Sequence, residues 1–185
     1  MKKDNSYYDL QVKDEYYTPA ILVEIVLPYL KPNSTIWCPF DTQQSEFVKV
    51  LEANGHTVLS THIWKGLDFF EFQPHRFDYV ISNPPFSLKN QVIERLVGFG
   101  KPFALLLNLQ CLNYIGIRKL VRVNKIQLLI PDKNVSFDGG SCPFASLFYC
   151  YKMNLPSSME FADVPHKNTG KNFDPSAMYN LDLQY

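Results

Sequence analysis

Phe77-Asp78-Tyr79-Val80-Ile81-Ser82-Asn83-Pro84-Pro85-Phe86 is the stretch from which the rest of the chain can be read. Phe77 to Ile81 reads as a buried strand. The proline pair must lie at its end, because proline cannot donate to a ladder. Gln91 to Val97 then carries helical periodicity, and Phe103 to Leu107 is a fully apolar run of the kind that forms a strand buried on both faces. Strand, loop, helix and strand in that order make a βαβ unit.

The same alternation extends outward. Upstream, Thr18-Pro19 opens a helix bearing Ile21, Leu22, Ile25, Val26 and Tyr29 on one face, which ends near Lys31-Pro32. Thr35 to Phe40 reads as a first strand. Thr42 or Asp41 caps a helix with Phe47, Val48, Val50 and Leu51, which Asn54-Gly55 stops. His56 to Ser60 is a second strand, and Phe69-Phe70 borders a short third strand or a turn. Downstream, Leu112 to Val123 is helical, Ile126 to Ile130 is a strand, and Ala145 to Lys152 is a last strand after a loop at 131–144. The pattern predicts an α/β fold, a Rossmann-like doubly wound and mostly parallel sheet with a late antiparallel hairpin. A single domain is expected over 1–153. The proline-bearing tail over 154–185 is expected to wrap around it or stay disordered.

Composition narrows the function. Among 185 residues, 46% are hydrophobic and 19% charged, with 14 Phe and 11 Tyr, which is a core-forming composition. Lys plus Arg equals Asp plus Glu at 18 each, so the global basic footprint of a tight nucleic-acid binder is absent. Local basic candidates are Arg118, Lys119, Arg122 and Lys125, with Lys167 and Lys171; at helical spacing such a run reads first as a solvated face. Cys38, Cys111, Cys142 and Cys150 form no CxxC pair or Cys/His cluster, so no metal site is expected and the thiols read as reduced and cytosolic. Two N-terminal lysines lack an apolar run behind them, and nowhere do 18 apolar residues follow one another. The expectation is a protein neither secreted nor membrane-spanning. No G-x-G-x-x-G follows the first strand, which argues against a dinucleotide-dependent oxidoreductase.

In open α/β sheets, ligands bind beyond the carboxyl ends of the strands. Four segments fall there: Pro39-Phe40-Asp41, Ser60-Thr61-His62, Asp68-Phe69-Phe70 and Asn83-Pro84-Pro85-Phe86. The restricted backbone of the last can hold the Asn83 side chain and the Pro84 carbonyl as two acceptors facing one pocket. An exocyclic amine held by both turns its nitrogen lone pair toward an electrophilic methyl, and Phe86 gives a flat substrate a ring to stack on. A base in a duplex would have to be flipped out to reach it. Each residue also has a structural reading: Phe40, Phe69 and Phe70 as core, His62 as a strand-end histidine, Asp41 and Asp68 as caps.

The Asn-Pro-Pro-Phe loop after this strand resembles the fourth motif of the amino-methyltransferases, best known from the DNA adenine-N6 enzymes of the class I methyltransferase fold. Tyr16-Tyr17-Thr18-Pro19 looks like the Thr-Pro segment that opens the cofactor site in that family, and Trp37-Cys38-Pro39-Phe40-Asp41 occupies the place of its first motif. Asp132 to Phe148, with Phe137, Gly139-Gly140 and Phe144-Ala145-Ser146, is similar to its closing hairpin. The resemblance spans about residues 14–152 and is nearest to compact, phage-type adenine methyltransferases. It implies S-adenosylmethionine as cofactor, with Tyr17, Thr18, Pro19, Pro39, Phe40 and Asp41 at its methionine part. Ser60 or His62 would meet the ribose, and Asp68 and Phe69 the adenine. Asn83, Pro84, Pro85 and Phe86 would be the catalytic residues.

The resemblance further implies DNA as partner, with adenine in RNA or a protein glutamine amide as alternative targets. It implies a cytoplasmic setting in a bacterial or phage-infected cell. Only 43 positions separate Phe40 from Asn83, which leaves no room between them for a recognition domain. A homodimer or partner subunit would then supply target recognition, with the 131–144 loop as this chain's own substrate contact. Where the family has an Asp-Pro-Phe-x-Gly-x-Gly turn, this chain has Cys38-Pro39-Phe40-Asp41-Thr42-Gln43-Gln44 without glycine. A catalytically silent, methyltransferase-like binding subunit is therefore kept as a rival reading.

Overall fold

A computed structural model describes residues 18–137 and 145–164. Four parallel strands form half of the sheet: β1 Thr35–Cys38, β2 Thr57–Ser60, β3 Tyr79–Ser82 and β4 Phe103–Asn108. The other half holds β5 Gln127–Pro131, β6 Ser146–Tyr151 and β7 Met159–Ala162. The strand order is β2-β1-β3-β4-β6-β5-β7. β6 runs antiparallel to both of its neighbours, and β7 pairs in parallel with β5. This is the mostly parallel α/β sheet with a late antiparallel hairpin that the sequence predicts. Strand order reverses between β1 and β3, so the crevice expected of this architecture opens at their carboxyl ends.

The helices are α1 Ala20–Glu24, α2 Glu46–Ala53, α3 Lys89–Phe99 and α4 Ile115–Asn124. Side-chain alternation along the strands divides the core in two. Ile36, Cys38, Tyr79, Ile81, Ala104 and Leu106 face one side with Leu22, Val23, Phe47 and Leu51. Trp37, Val80, Phe103, Leu105 and Leu107 face the other with Val92, Ile93, Leu96 and Ile117. Each fully buried side chain of this size contributes about 1.5–3 kcal/mol through the area it removes from water. Trp37, fully buried, lies 5.4 Å from Phe77 and 5.5 Å from Phe69 between ring centroids, and its Nε1–H donates to Thr61 Oγ1 at 2.9 Å.

Several boundaries depart from the sequence reading for identifiable reasons. The first helix stops at Glu24, and a 3-10 turn over Leu27–Tyr29 takes over, because the Pro28 ring would clash with the carbonyl four residues back. Pro19 is the extended N-cap of α1, not its first helical residue. Ser45, not Asp41 or Thr42, caps α2, its Oγ accepting from the Phe47 N–H at 3.1 Å. Phe69-Phe70 forms no strand. The Asp68 carboxylate accepts from the Phe70 N–H at 2.9 Å, and its carbonyl from the Phe72 N–H at 2.8 Å, which closes a turn instead. β7 lies in the stretch read as a tail. Leu112 belongs to a 3-10 turn over Leu109–Asn113, and α4 begins at Ile115. Among the described residues no helix is long and apolar enough to cross a membrane.

Candidate functional site

The loop after β3 is built by its own sequence. Pro84 is buried, Pro85 caps a 3-10 turn over Phe86–Leu88, and the Leu88 N–H donates to the Pro85 carbonyl at 3.0 Å. Lys89, the first residue of α3, folds back so that Nζ donates to the Phe86 carbonyl at 2.9 Å. These contacts fix the Pro-Pro-Phe backbone against the sheet edge with Phe86 half-buried.

Asn83 is oriented from far away in sequence. Its Nδ2 donates to Thr18 Oγ1 at 3.3 Å, across 65 positions of chain. Thr18 is itself buried at 7% exposure just ahead of α1. With the amide anchored through its nitrogen, Oδ1 is left buried and without a hydrogen-bond partner among the described residues. A buried acceptor left without a partner costs about 1–3 kcal/mol, so each such group in a folded protein calls for an explanation.

Beside it, Asp41 joins the ends of β1 and β3. Its carboxylate accepts from Ser45 Oγ at 2.5 Å and, in a very short contact, from Ser82 Oγ, the residue before Asn83. Asp41 is 7% exposed. The turn after β1 is tied to β2 by Gln43 Nε2, which donates to Ser60 Oγ at 2.9 Å. Thr18 and Asn83 are thus bonded to each other, while Asp41 is tied to Ser45 and Ser82 and Ser60 to Gln43, all in segments at the carboxyl ends of β1, β2 and β3 or just ahead of α1. Cys38, beside Asp41, is held as a neutral thiol: burial, then the Asp41 and Glu52 charges, push its pKa well up.

The other predicted residues serve first as structure. His62 caps the 3-10 turn over Ile63–Lys65, its Nδ1 accepting from the Trp64 N–H at 3.2 Å. Burial, with Lys65 adding to it, lowers its pKa, so the ring is neutral at neutral pH. Asp68 closes its own turn, and Phe69, only 3% exposed, lies inside the aromatic core. Phe40 packs on Phe69 with ring centroids 4.9 Å apart and is the half-exposed ring of that pair. Pro39 is buried. Tyr17 lies outside the described residues, as do Gly139-Gly140 of the 131–144 loop. Sequence reasoning passed over Ser45 and Ser82, which hold Asp41, and Gln43, which holds Ser60. The one available signal was Ser45 standing directly before an amphipathic run.

The chemistry of this edge suits a cationic, hydroxyl-bearing ligand. Asp41, Ser60 and Asp68 offer acceptor oxygens, while the neutral His62 ring, its Nδ1 already accepting from Trp64, offers an Nε2–H donor; between Pro32 and Trp64 the one Lys or Arg is Lys49, on α2 and paired with Glu46 at 2.6 Å. A phosphate-bearing dinucleotide would meet no glycine-lined turn after β1. A cavity of about 380 Å³ lined by Arg76, Asp78 and Lys101 among others lies at the opposite ends of β1, β3 and β4 and includes no residue of this edge.

Residues 74–137 match a protein family described as adenine-specific methyltransferase EcoRI. The match includes Asn83 to Phe86 and α4, while the Thr18, Asp41 and Ser60 segments lie ahead of it. A curated relative, the type II methyltransferase M.EcoRI of Escherichia coli, is 35% identical over 51 residues, which is 28% of this chain. The chain spans 16% of that relative's length in the match. Among solved structures, a TehB-like SAM-dependent methyltransferase from Corynebacterium glutamicum aligns with 80% of this chain and 94% of its own, at 13% identity and a TM-score of 0.42.

Proposed function

We propose that this chain is an S-adenosylmethionine-dependent methyltransferase acting on the exocyclic amine of adenine in DNA. The observation that carries the reading is the buried, unpartnered Asn83 Oδ1, anchored through Thr18 at the switch point of the sheet. The match of residues 74–137 to the adenine-specific methyltransferase family supports it independently.

S-adenosylmethionine, when bound, supplies an electrophilic methyl on a cationic sulfur. Asp41 and Thr18, with Phe40 beside them, would hold its methionine part, Ser60 and His62 its ribose, and Asp68 its adenine. Asp41, Asp68 and Ser60 offer acceptor oxygens to an ammonium, an amine and a hydroxyl, and the His62 Nε2–H offers a donor to a ribose oxygen. Asn83 Oδ1 accepts one amine N–H of the target base, and the Pro84 carbonyl accepts the other. The two acceptors draw the nitrogen lone pair out of conjugation with the ring and fix its direction. Phe86 stacks on the base, a contact of about 1–3 kcal/mol. The amine loses its proton to solvent, so no side chain with a strongly shifted pKa is required. A base reaching this edge must be flipped or single-stranded. The reading places the protein in the cytoplasm of a bacterial or phage-infected cell.

A second reading, a catalytically silent binding subunit, is favoured by the glycine-free turn and by the two serine hydroxyls already held by Asp41. Calorimetric titration with S-adenosylmethionine and its demethylated product separates the two. Saturable binding, followed by labelled-methyl incorporation into DNA, is the expected result. No binding at millimolar ligand would favour the silent subunit or a site completed only by a partner, and incorporation into RNA or protein alone would reassign the substrate.

A further inference from the structure

The chain is neutral overall, yet its charge is segregated. Between Phe86 and Ile130 there are seven Lys or Arg residues and one acidic residue, Glu94. α4 has no acidic residue at all. Ile115, Arg118, Lys119 and Arg122 fall at i, i+3, i+4 and i+7, which puts them on one face of that helix. All four are exposed, and none of the three cations has an ion-pair partner among the described residues.

This face is physically joined to the catalytic loop. Lys89, which holds the Phe86 carbonyl, lies with Nζ 4.2 Å over the ring of Tyr114, the residue that opens α4. The two helix starts are in close approach, since a Cβ on Gly116 would come within 2.7 Å of Asn90 Nδ2. Tyr114 is nonetheless 57% exposed and Ile115 80% exposed. An aromatic ring and a cation thus stand beside Phe86, and a row of cations leads away from them. From Ile115 to Arg122 the helix rises about 10 Å, close to the axial rise of three phosphates on one strand of B-DNA.

We propose that this face of α4, headed by the Lys89–Tyr114 pair, is the track along which a DNA strand approaches the catalytic loop. Arg118, Lys119 and Arg122 contact phosphates, and Tyr114 stacks on a base next to the one taken by Phe86. The inference rests on the adenine-methyltransferase reading above. It gives the chain its own DNA-holding surface, where the sequence alone called for a homodimer or partner subunit to supply target recognition.

The test is fluorescence anisotropy of the full chain with a labelled 24-base-pair duplex and a 24-nucleotide single strand, from 50 to 200 mM NaCl. Arg118→Glu/Arg122→Glu is expected to weaken binding at least tenfold at 100 mM and to lower the slope of log affinity against log salt by about two. Lys119→Gln is a milder second variant, expected to lower the slope by about one without altering the fold. Tyr114→Ala should weaken binding with the slope unchanged. Lys31→Glu/Lys49→Glu makes the same charge change away from α4 and is expected to move affinity less than threefold. Equal weakening by both reversed pairs would overturn the track, as would absence of DNA binding by the wild type. Tight binding of RNA or of polyglutamate without DNA would overturn it too. Methyl transfer to DNA by Arg118→Glu/Arg122→Glu with unchanged KM would sink the track and leave the activity standing. DNA binding lost only in the α4 variants, in a protein that never binds S-adenosylmethionine, would sink the activity and leave the track.

Discussion

Asn83→Ala should move stability and activity in different ways, and the structure sets both magnitudes. Asn83 gives the fold one long hydrogen bond, 3.3 Å to Thr18, and imposes on it one buried acceptor without a partner. The bond contributes about 0.5–1.5 kcal/mol, and the desolvated acceptor costs about 1–3 kcal/mol. Removing both should leave the folding free energy within about 1 kcal/mol of wild type, leaning toward stabilisation. Under the proposed mechanism the same substitution removes one of two acceptors for the reacting amine. Loss of one such preorganised group typically costs about 10²–10³ in kcat, or ~2.7–4 kcal/mol of barrier. Urea denaturation followed by fluorescence gives the first quantity, and labelled-methyl transfer to DNA under saturating cofactor gives the second. Calorimetry should show S-adenosylmethionine binding unchanged. A kcat within threefold of wild type would remove Asn83 from the mechanism. A destabilisation above about 2 kcal/mol would show that the amide is an ordinary structural group, because its oxygen would then have to be satisfied in the folded protein.

Other outcomes follow from the same contacts. Asp41→Asn keeps the shape but loses the charge that receives two serine hydroxyls; it should cost about 2–4 kcal/mol of stability by urea denaturation, and a change below 0.5 kcal/mol would show those bonds to be weak. His62 and His56 both have pKa values lowered first by burial, so the unfolded chain takes up protons more readily than the folded one. Stability should be complete above about pH 6.5 and fall as pH drops below it. His62→Asn, whose Oδ1 can still receive the Trp64 N–H, should flatten that fall; an unchanged pH profile would exclude His62 as a contributor. Cys38, Cys111 and Cys150 are buried thiols with raised pKa values, so maleimide should leave them unlabelled in the native protein and label them in urea, and rapid native labelling at Cys38 would contradict its place beside Asp41.

The sequence determined the sheet. Apolar runs at Ile36, Val80 and Leu105 and the helical spacing of Phe47 and Leu51 or Val92 and Leu96 are local, periodic signals, and burial enforces them. It also determined the shape of the loop after β3, because two prolines after a strand restrict the backbone whatever surrounds them. Tertiary structure decided which polar groups are paired. That Ser82 reaches Asp41 and that Thr18 holds the nitrogen of Asn83 are contacts across 41 and 65 positions of chain, and no local pattern encodes them. β7 was hidden for a related reason: Met159 to Ala162 reads as tail until β5 offers an edge to pair with. The basic run of α4 likewise reads as a solvated face in one dimension. Its relation to the loop after β3 appears through Lys89, which holds the Phe86 carbonyl and lies against Tyr114, and through the approach of Gly116 to Asn90. Periodicity reports burial, which each residue registers alone; hydrogen-bond partnership and charge clustering belong to pairs that only folding brings together.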